Sequence, residues 1–175
     1  DVLVVYGNLN GELVHILVNH WPSRREGAEE SEYKRIEAAK LARSIVEVIQ
    51  ERTFNAKIMI MGDFNDDPTS KSIKEYLVTE DFYNPMESLL DRDAIGTLTY
   101  NSKWNLFDQI IITKNFLEPE IDKHHFKHAE VFNRKWLKIF RGKFKGSPFR
   151  TYIGPWYQGG FSDHFPVYLY VKKEA

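Results

Sequence analysis

A short apolar segment between a helix-like stretch and a polar loop constrains the fold of this chain more than any other feature. The segment Lys57–Met61 is apolar almost throughout, which is typical of a strand buried on both faces of its sheet. Before it, apolar residues recur at steps of three and four from Ser31 to Arg52, and this spacing predicts a helix with Ser31 as its N-cap. A helix followed by a buried strand predicts an α/β fold.

Weaker signals place further elements along the chain. Val2–Tyr6 and Leu13–Val18 predict a β-hairpin, because Asn10-Gly11 between them tolerates the positive φ of a tight turn. The remaining predicted elements are a short helix over Thr69–Val78 and strands over Gly96–Tyr100, Phe107–Thr113 and Phe165–Val171. With 175 residues and no linker-like segment, residues 1–175 are predicted to form a single domain.

The composition excludes several classes of protein. The chain has no cysteine, which excludes a disulfide framework, a cysteine nucleophile and a thiolate metal site. The longest apolar runs, such as Ile58–Met61 and Val167–Val171, are far shorter than the roughly 20 residues that cross a bilayer, so no transmembrane segment is expected. A cysteine-free chain of this kind leads us to expect a secreted or periplasmic protein rather than a cytoplasmic one.

The charge is unevenly distributed, and residues 123–161 form a basic-aromatic stretch. The net charge of the chain is -1, whereas Lys123–Arg150 contains nine lysines and arginines against one acid, Glu130. Aromatic residues such as Trp136 and Phe144 interleave with these cations. Such a surface can follow a phosphate backbone and stack on bases, and an anionic lipid headgroup satisfies the same features. An equally good interpretation is a surface hairpin with inward aromatic rings and solvated lysines.

Polar side chains stand where several predicted strands begin or end. These residues are His20, Asp63, Asn65, Asp108 and His164. Taken singly, each has an ordinary explanation, such as an Asx-type turn or a half-buried histidine with a satisfied hydrogen bond. Because open α/β sheets commonly carry their chemistry at strand ends, the five residues together predict a functional site.

Four motifs occur in order along the chain, each beside an apolar strand. They are Val18-Asn19-His20-Trp21-Pro22-Ser23-Arg24, Gly62-Asp63-Phe64-Asn65 with Pro68 behind it, Phe107-Asp108-Gln109-Ile110, and Ser162-Asp163-His164-Phe165-Pro166-Val167. In these motifs the chain resembles the metal-dependent endonuclease/exonuclease/phosphatase superfamily. That superfamily includes pancreatic-type deoxyribonucleases, apurinic endonucleases, sphingomyelinases and inositol polyphosphate 5-phosphatases.

The resemblance implies a mixed β-sheet with outer helices, similar to the C-terminal half of a four-layer α/β/β/α sandwich. In the family, the other half supplies an Asn and a metal-binding Glu, and no residue before His20 stands in a matching context. We therefore expect the N-terminal half of the catalytic domain to be absent from residues 1–175 and to be a partner of this chain. We also expect residues 1–175 alone to show weak or absent turnover.

The resemblance implies roles for the residues at the strand ends. Asp63 is the implied general base that activates water for in-line attack on phosphorus, and Asn65 positions the same water or a phosphoryl oxygen. His164 is implied to hydrogen-bond the scissile phosphate, while Asp108 fixes its tautomer and favours its protonated form. His20 corresponds to a second histidine that contacts phosphate or protonates the leaving group.

Further side chains are implied at the substrate and at a metal ion. Arg24, Trp104 and Asn105 are expected to bind substrate, with Arg24 as a phosphate clamp because a guanidinium matches phosphate geometry. Asp163 is expected to complete the metal or water shell. Carboxylate and amide ligands favour Mg²⁺, with Mn²⁺ as the alternative ion.

The leading functional hypothesis is a metal-dependent phosphoesterase that hydrolyses phosphodiester bonds, with nucleic acid as the favoured substrate. An alternative within the same superfamily is a phospholipid or inositol phosphate hydrolase. A third hypothesis is a non-catalytic module that binds nucleic acid or a membrane surface. Salt-dependent binding without metal-dependent turnover would favour this third hypothesis.

Overall fold

The computed structural model describes residues 2–90, 96–101 and 103–173. Its strands are β1 (Val2–Leu9), β2 (Glu12–His20), β3 (Lys57–Asp63), β4 (Phe82–Tyr83), β5 (Leu98–Tyr100), β6 (Lys103–Asn105), β7 (Asp108–Thr113), β8 (His124–Val131), β9 (Tyr152–Ile153), β10 (Trp156–Tyr157) and β11 (Val167–Lys173). The long helix is α1 (Glu32–Arg52), and a π-helical turn covers Ser72–Leu77. Short 3-10 turns lie at Arg24–Glu26, Pro85–Leu89, Lys114–Phe116 and Lys135–Leu137. In these described ranges, no helix has both the length and the apolar character needed to cross a membrane.

The main sheet is mixed, as expected. Its strand order is β1-β2-β3-β7-β4, in which β2 and β3 run parallel while the other neighbouring pairs run antiparallel. β1 and β2 form the predicted hairpin, with Asn10 and Gly11 at positive φ in the turn. The hairpin is longer than predicted, because residues 7–9 continue the pairing of β1 with β2 up to the turn.

The two faces of the main sheet are covered by different layers. Side chains at alternate positions, such as Ile58 and Ile60 of β3, pack with Ala42 and Val46 of α1. The intervening Met59 belongs to a second cluster, on which side chains of the β8–β11 ribbon pack. This period-two division follows from the pleat of the strand. It confirms the predicted buried strand and the α/β class, with a mixed sheet and an outer helix.

The helix α1 occupies the predicted segment, but Ser31 does not cap it in the predicted way. Ser31 has helical backbone angles, and its side chain makes no capping hydrogen bond. Its hydroxyl donates to the carbonyl of Gly27 and accepts a hydrogen bond of 2.7 Å from Nη1 of Arg35. Ser31 therefore stands at the predicted N-cap position, but its hydroxyl is bound by a buried arginine one turn later instead of capping the helix.

The largest departure from the predicted elements lies in the basic-aromatic stretch. Its first part forms β8, a strand that we did not predict and that pairs antiparallel with β11. A buried polar cluster fixes the start of β8 against the starts of β2 and β3. In this cluster the carboxylate of Glu12 accepts a hydrogen bond of 2.7 Å from His124 N and lies 3.4 Å from Lys57 Nζ.

Other predicted elements are shorter or shifted. The helix predicted over residues 69–78 is the π-helical turn Ser72–Leu77, and the strand predicted over residues 96–100 is β5. The last strand, β11, begins two residues later than predicted and extends to Lys173. These differences change the bounds of the elements and leave their order intact.

Gly62 lets β2 and β3 approach each other closely at the edge of the sheet that carries the polar residues of the strand ends. Its φ is +135°, and a Cβ built on it would lie 1.9 Å from the backbone oxygen of Asn19, its register partner on β2. A backbone atom cannot turn aside as the end of a flexible side chain can. The contact between β2 and β3 therefore requires glycine at this position.

We expect the substitution Gly62→Ala to destabilise the protein by at least about 2 kcal/mol, because it adds a steric clash to a strained backbone conformation. Thermal unfolding followed by circular dichroism measures the change. Gly7→Ala is the matched control, since a Cβ at Gly7 would meet nothing within 4 Å. Equal melting temperatures for the two variants would contradict the proposed packing of β2 on β3.

Candidate active site

The register of three neighbouring strands places three of the predicted residues side by side. His20 at the end of β2 pairs with Asp63 at the end of β3, and Asp63 pairs with Asp108 at the start of β7. Parallel β2 and β3 end at the same edge, and antiparallel β7 begins there. Hydrogen bonding of the sheet thus brings together residues that are far apart in the sequence.

The fourth predicted residue, His164, reaches this row from the loop before β11. Its Nδ1 lies 2.7 Å from Oδ2 of Asp108, and His20 Nε2 lies 3.7 Å from Oδ2 of Asp63. The next residue, Phe165, is buried and donates a backbone hydrogen bond of 2.7 Å to the oxygen of Thr97. The core therefore fixes the chain beside His164, and the four polar side chains form one group.

Nearby carboxylates raise the pKa of His164. Burial of the imidazole lowers its pKa, but the hydrogen bond and charge of Asp108, with the charges of Asp63 and Asp163, outweigh the burial and raise it above the ordinary histidine value. The Nδ1 contact with Asp108 also orients the ring, so that Nε2 is the nitrogen left to face a ligand. The structure thus agrees with the predicted pairing of Asp108 with His164.

The pKa of Asp63 is raised above the ordinary aspartate value. Burial is the main cause of the increase, and the nearby carboxylate of Asp108 adds to it, while the amide of Asn65 and the two histidines act in the opposite direction. A carboxylate with a raised pKa accepts a proton more readily than an ordinary aspartate does. Asp63 is therefore better suited to accept a proton than an ordinary aspartate.

Asp63 and Asn65 form an Asx-type turn, the ordinary explanation for this segment of the sequence. The backbone N of Asn65 donates to Oδ1 of Asp63 at 2.9 Å, its Nδ2 donates to the oxygen of Trp21 at 3.0 Å, and its φ is +51°. Between Asp63 and Asn65, the side chain of Phe64 is buried in the core and packs edge-on against Trp21. This arrangement orients the carboxylate of Asp63 and joins the two loops after β2 and β3.

Arg24, predicted as a phosphate clamp, makes its contacts with the loop after β3. Its Nε donates to the oxygen of Asn65 at 2.7 Å, its Nη2 lies 2.5 Å from Oδ1 of Asp66, and its guanidinium lies 4.5 Å from the centre of the Phe107 ring. These contacts occupy much of the donor fork of the guanidinium. The structure therefore gives Arg24 a role in positioning the loop that carries Asp63 and Asn65.

Asp66 is an important residue of this region that we did not single out from the sequence. Its buried carboxylate lies 2.8 Å from Nε of Arg35, contacts Arg24 and accepts a hydrogen bond from the hydroxyl of Ser72. Its backbone oxygen accepts a hydrogen bond of 2.6 Å from the side chain of buried Gln109. The sequence contained one signal for a buried acid: Arg35 lies on the buried stripe of α1 that continues through residues 39, 42 and 46, and a buried arginine needs a partner.

The remaining predicted residues lie around this group. Trp104 stacks on Phe165 with 5.9 Å between ring centres, and the backbone oxygen of Asn105 accepts a hydrogen bond of 2.8 Å from Thr97 N. Asp163 is exposed next to His164 and acts on it through its charge. These three residues therefore border the group, and the described contacts assign none of them to a ligand.

Three residues of the group are placed to hold a cation. Asp63, Asp108 and His164 each offer one ligand atom, and these atoms lie within 4.8 Å of one another. The charge of Asp108 contributes to the raised pKa of Asp63, and a divalent cation between the two carboxylates would relieve this repulsion. Their oxygen donors therefore fit a hard cation. Asp163, the residue predicted as a metal ligand, is not part of this set.

Comparisons with known proteins agree on one fold. The model of a family described as endonuclease/exonuclease/phosphatase family matches residues 1–173. Truncated TDP2 from Caenorhabditis elegans is 17% identical, with a TM-score of 0.61 over 95% of this chain and 57% of that chain. A mannosyl-6-phosphatase from Bacteroides thetaiotaomicron is 19% identical, with a TM-score of 0.57 over 93% of this chain and 52% of that chain.

A third solved structure is D. rerio TDP2 complexed with a single-strand DNA product. It is 14% identical, with a TM-score of 0.59 over 98% of this chain and 61% of that chain. At such identities these structures show a common fold. Residues 1–175 span between about half and three fifths of the length of these three proteins. No curated protein matches the sequence.

We expect Asp66→Asn to cost about 3 kcal/mol of stability, because it removes one charge from a buried ion pair and leaves the buried charge of Arg35 without its carboxylate partner. Denaturant unfolding of the variant measures this loss. The control is Glu37→Gln, which removes the exposed pair of Glu37 with Lys40 and should leave the unfolding midpoint unchanged. An unfolding midpoint equal to that of wild type for Asp66→Asn would contradict the role given to Asp66.

We expect the pKa of His164 to lie above the ordinary histidine value and to fall in Asp108→Asn, which keeps the burial but removes the charge. Titration of the His164 Cε1 proton by NMR measures both pKa values. Because folding raises this pKa, the stabilisation by Asp108 is fully present below the pKa of the unfolded chain and is lost as the pH rises through the pKa of the folded protein.

The control for this titration is Glu118→Gln, which removes a carboxylate that is not among the groups acting on His164. It should leave the His164 titration unchanged. A pKa for His164 below the ordinary value in wild type, or an unchanged pKa in Asp108→Asn, would contradict the assigned pairing.

Proposed function

The chain belongs to the endonuclease/exonuclease/phosphatase family, and from this membership we propose that its site hydrolyses phosphodiester bonds of nucleic acid. The observation that carries the proposal is the row formed by His20, Asp63 and Asp108, with His164 bound to Asp108 at 2.7 Å. A base, an acid and a phosphate-binding cation are the groups that in-line attack of water on phosphorus requires.

Asp63 is the proposed general base. The backbone N of Asn65 fixes its Oδ1, while Oδ2 lies toward His20. Oδ2 is therefore the oxygen that receives the proton of the attacking water. The raised pKa of Asp63, caused mainly by burial, increases its strength as a base. Asn65, through its turn, keeps this carboxylate in place beside the attacked phosphorus.

His164 and His20 are the proposed contacts of the scissile phosphate. Asp108 binds Nδ1 of His164 and raises its pKa, so Nε2 carries a proton and donates it in a hydrogen bond to a phosphoryl oxygen. The side chain of His20 is 78% exposed and lies next to Asp63, on the side away from Asp108. From there it contacts the phosphate or protonates the leaving oxygen, as the family resemblance implies.

A divalent cation, Mg²⁺ with Mn²⁺ as the alternative, is proposed to bind beside the carboxylates of Asp63 and Asp108 through its water shell, which leaves Asp63 free as the base, because these ions prefer oxygen ligands and usually keep several waters. When bound, such a cation neutralises charge on a phosphoryl oxygen as a Lewis acid. Asp163, which is next to His164 and exposed, is the proposed additional ligand of the metal or of its water. His164 keeps its hydrogen bond to Asp108.

A second candidate function is hydrolysis of a phospholipid headgroup or an inositol phosphate. The exposed rings of Trp156 and Tyr157 in the β9–β10 pair support it, since exposed aromatic side chains are common at membrane surfaces. The basic-aromatic stretch supports nucleic acid equally well, and one of the similar structures is a complex with a single-strand DNA product. Nucleic acid is therefore the first choice.

We further propose that a part of the catalytic domain outside residues 1–175 completes the site. Two observations support this proposal. The solved structures that resemble the chain are longer than it, since it covers 57% and 52% of two of them. β1 is also an edge strand with exposed apolar residues on both faces, including Leu3 and Tyr6, and such an edge pairs readily with further strands.

We expect the longest natural chain to cleave supercoiled plasmid and bis(p-nitrophenyl) phosphate with Mg²⁺ or Mn²⁺, and to lose this activity when EDTA is added. Residues 1–175 alone should show weak or absent turnover. His164→Ala should lower kcat by about 10²-fold or more, because it removes a hydrogen bond to the scissile phosphate. His128→Ala removes an exposed histidine of β8 and should leave kcat unchanged.

Each other outcome of this assay contradicts one part of the proposal. Robust hydrolysis by residues 1–175 alone would contradict the need for a further part of the domain. Hydrolysis of sphingomyelin or inositol phosphates, with both nuclease substrates untouched, would select the second candidate function. Salt-dependent binding of nucleic acid without turnover in the longest chain would point to a non-catalytic module.

A further inference from the structure

A cleft of about 470 Å³ lies between the β5–β6 hairpin and the last part of the basic-aromatic stretch. A hydrogen bond of 3.0 Å from Thr99 Oγ1 to Ser147 Oγ joins the two walls. The second wall is braced internally, since Ile139 N donates to the oxygen of Ser147 at 2.9 Å. The cleft is therefore formed by the fold and does not depend on a ligand for its shape.

Cations and aromatic rings line this cleft together. The residues that contribute a positive charge or a ring are Lys143, Lys145, Arg150, Tyr100, Trp104 and Phe144. Among the residues that the structure describes, no carboxylate lines the cleft, and none forms an ion pair with these three cations. Three cations close together without an acid raise the local positive potential, which attracts an anion.

The cleft is next to the candidate active site. Trp104, in its wall, stacks at 5.9 Å on Phe165, the residue that directly follows His164. Thr97, just before β5, accepts the backbone hydrogen bond of Phe165 on its carbonyl and that of Asp108 on its hydroxyl. The wall of the cleft is therefore anchored on the same residues that fix the backbone at His164 and Asp108.

We propose that this cleft binds the nucleotide that neighbours the scissile phosphate in a single-stranded nucleic acid. The proposal rests on the function proposed above and names the substrate unit that the same site selects. A base stacks on the exposed ring of Tyr100 or on Trp104, and the next phosphate pairs with Lys143, Lys145 or Arg150. The volume of the cleft is in the range of pockets that hold ligands of this size.

The combination of rings and cations decides between ligand classes. Inorganic phosphate or an inositol phosphate uses the cations and leaves the rings uncovered, whereas a nucleotide has a planar ring one sugar away from each phosphate. Single-stranded chains expose the faces of their bases, and paired strands do not. The cleft therefore favours a single strand or a frayed end over an intact duplex.

The test measures binding of a fluorescein-labelled oligothymidylate by the longest natural chain, in EDTA so that no cleavage occurs. We expect the double variant Lys143→Ala/Lys145→Ala to raise Kd by at least about tenfold in 50 mM salt. The slope of log Kd against log salt should fall by about 1.4, because each phosphate contact contributes about 0.7 for single strands. Tyr100→Ala should raise Kd about fivefold or more and leave the salt slope unchanged, because stacking is not ionic.

The matched control is Arg52→Ala/Lys114→Ala, which also removes two exposed positive charges, at the end of α1 and after β7. It should leave Kd within about twofold of the wild-type value. Unchanged binding in both cleft variants, equal losses in the control, or no binding by wild type would overturn the proposal. Equally strong competition by inositol hexakisphosphate that is insensitive to Tyr100→Ala would overturn it in favour of a pure anion site.

The binding test of the cleft can fail or succeed independently of the cleavage assay, because binding in EDTA does not require turnover. Loss of binding in the cleft variants together with an inert enzyme would support the cleft and contradict the hydrolase. An active nuclease whose KM for oligothymidylate and for bis(p-nitrophenyl) phosphate is unchanged in both cleft variants would support the hydrolase and contradict the cleft.

Discussion

The hydrogen-bond register between β2, β3 and β7 is the constraint on which the rest of the site depends. It aligns His20 with Asp63 and Asp63 with Asp108, so three polar side chains meet at one edge of the sheet. The parallel pairing of β2 with β3 is close enough there to require glycine at position 62. A shift of one residue along β3 would turn the side chain of Asp63 to the other face.

A network of buried charges holds the loop that follows β3. Asp66 binds arginines from two different elements, Arg24 after β2 and Arg35 on α1, and Gln109 of β7 holds its backbone. The helix, the loop and the sheet are thereby joined at one carboxylate behind Asp63. Such a network suits a site in which the position of Asp63 has to be fixed accurately, because the geometry of a catalysed attack is demanding.

The local part of this structure was predictable from the sequence, and the long-range part was not. The apolar run at residues 57–61, the Asn10-Gly11 turn and the stripe of α1 depend on neighbouring residues, and the structure contains each of them. β8 escaped prediction because its three histidines and one lysine interrupt any apolar alternation, and the strand is defined by its pairing with β11. The side-chain cap at Ser31 is absent because its hydroxyl binds Arg35, which is buried through its ion pair with the distant Asp66.

The central claim is that Asp108 and His164 act as one unit on a phosphodiester, and a double-mutant cycle tests it most directly. The measurement is kcat/KM of the longest natural chain, its Asp108→Asn and His164→Ala variants, and the double variant, on one oligonucleotide with Mg²⁺. The account predicts that the double variant is no slower than His164→Ala alone, because Asp108 acts through the imidazole. Losses that multiply in the double variant, or full activity in His164→Ala, would contradict it.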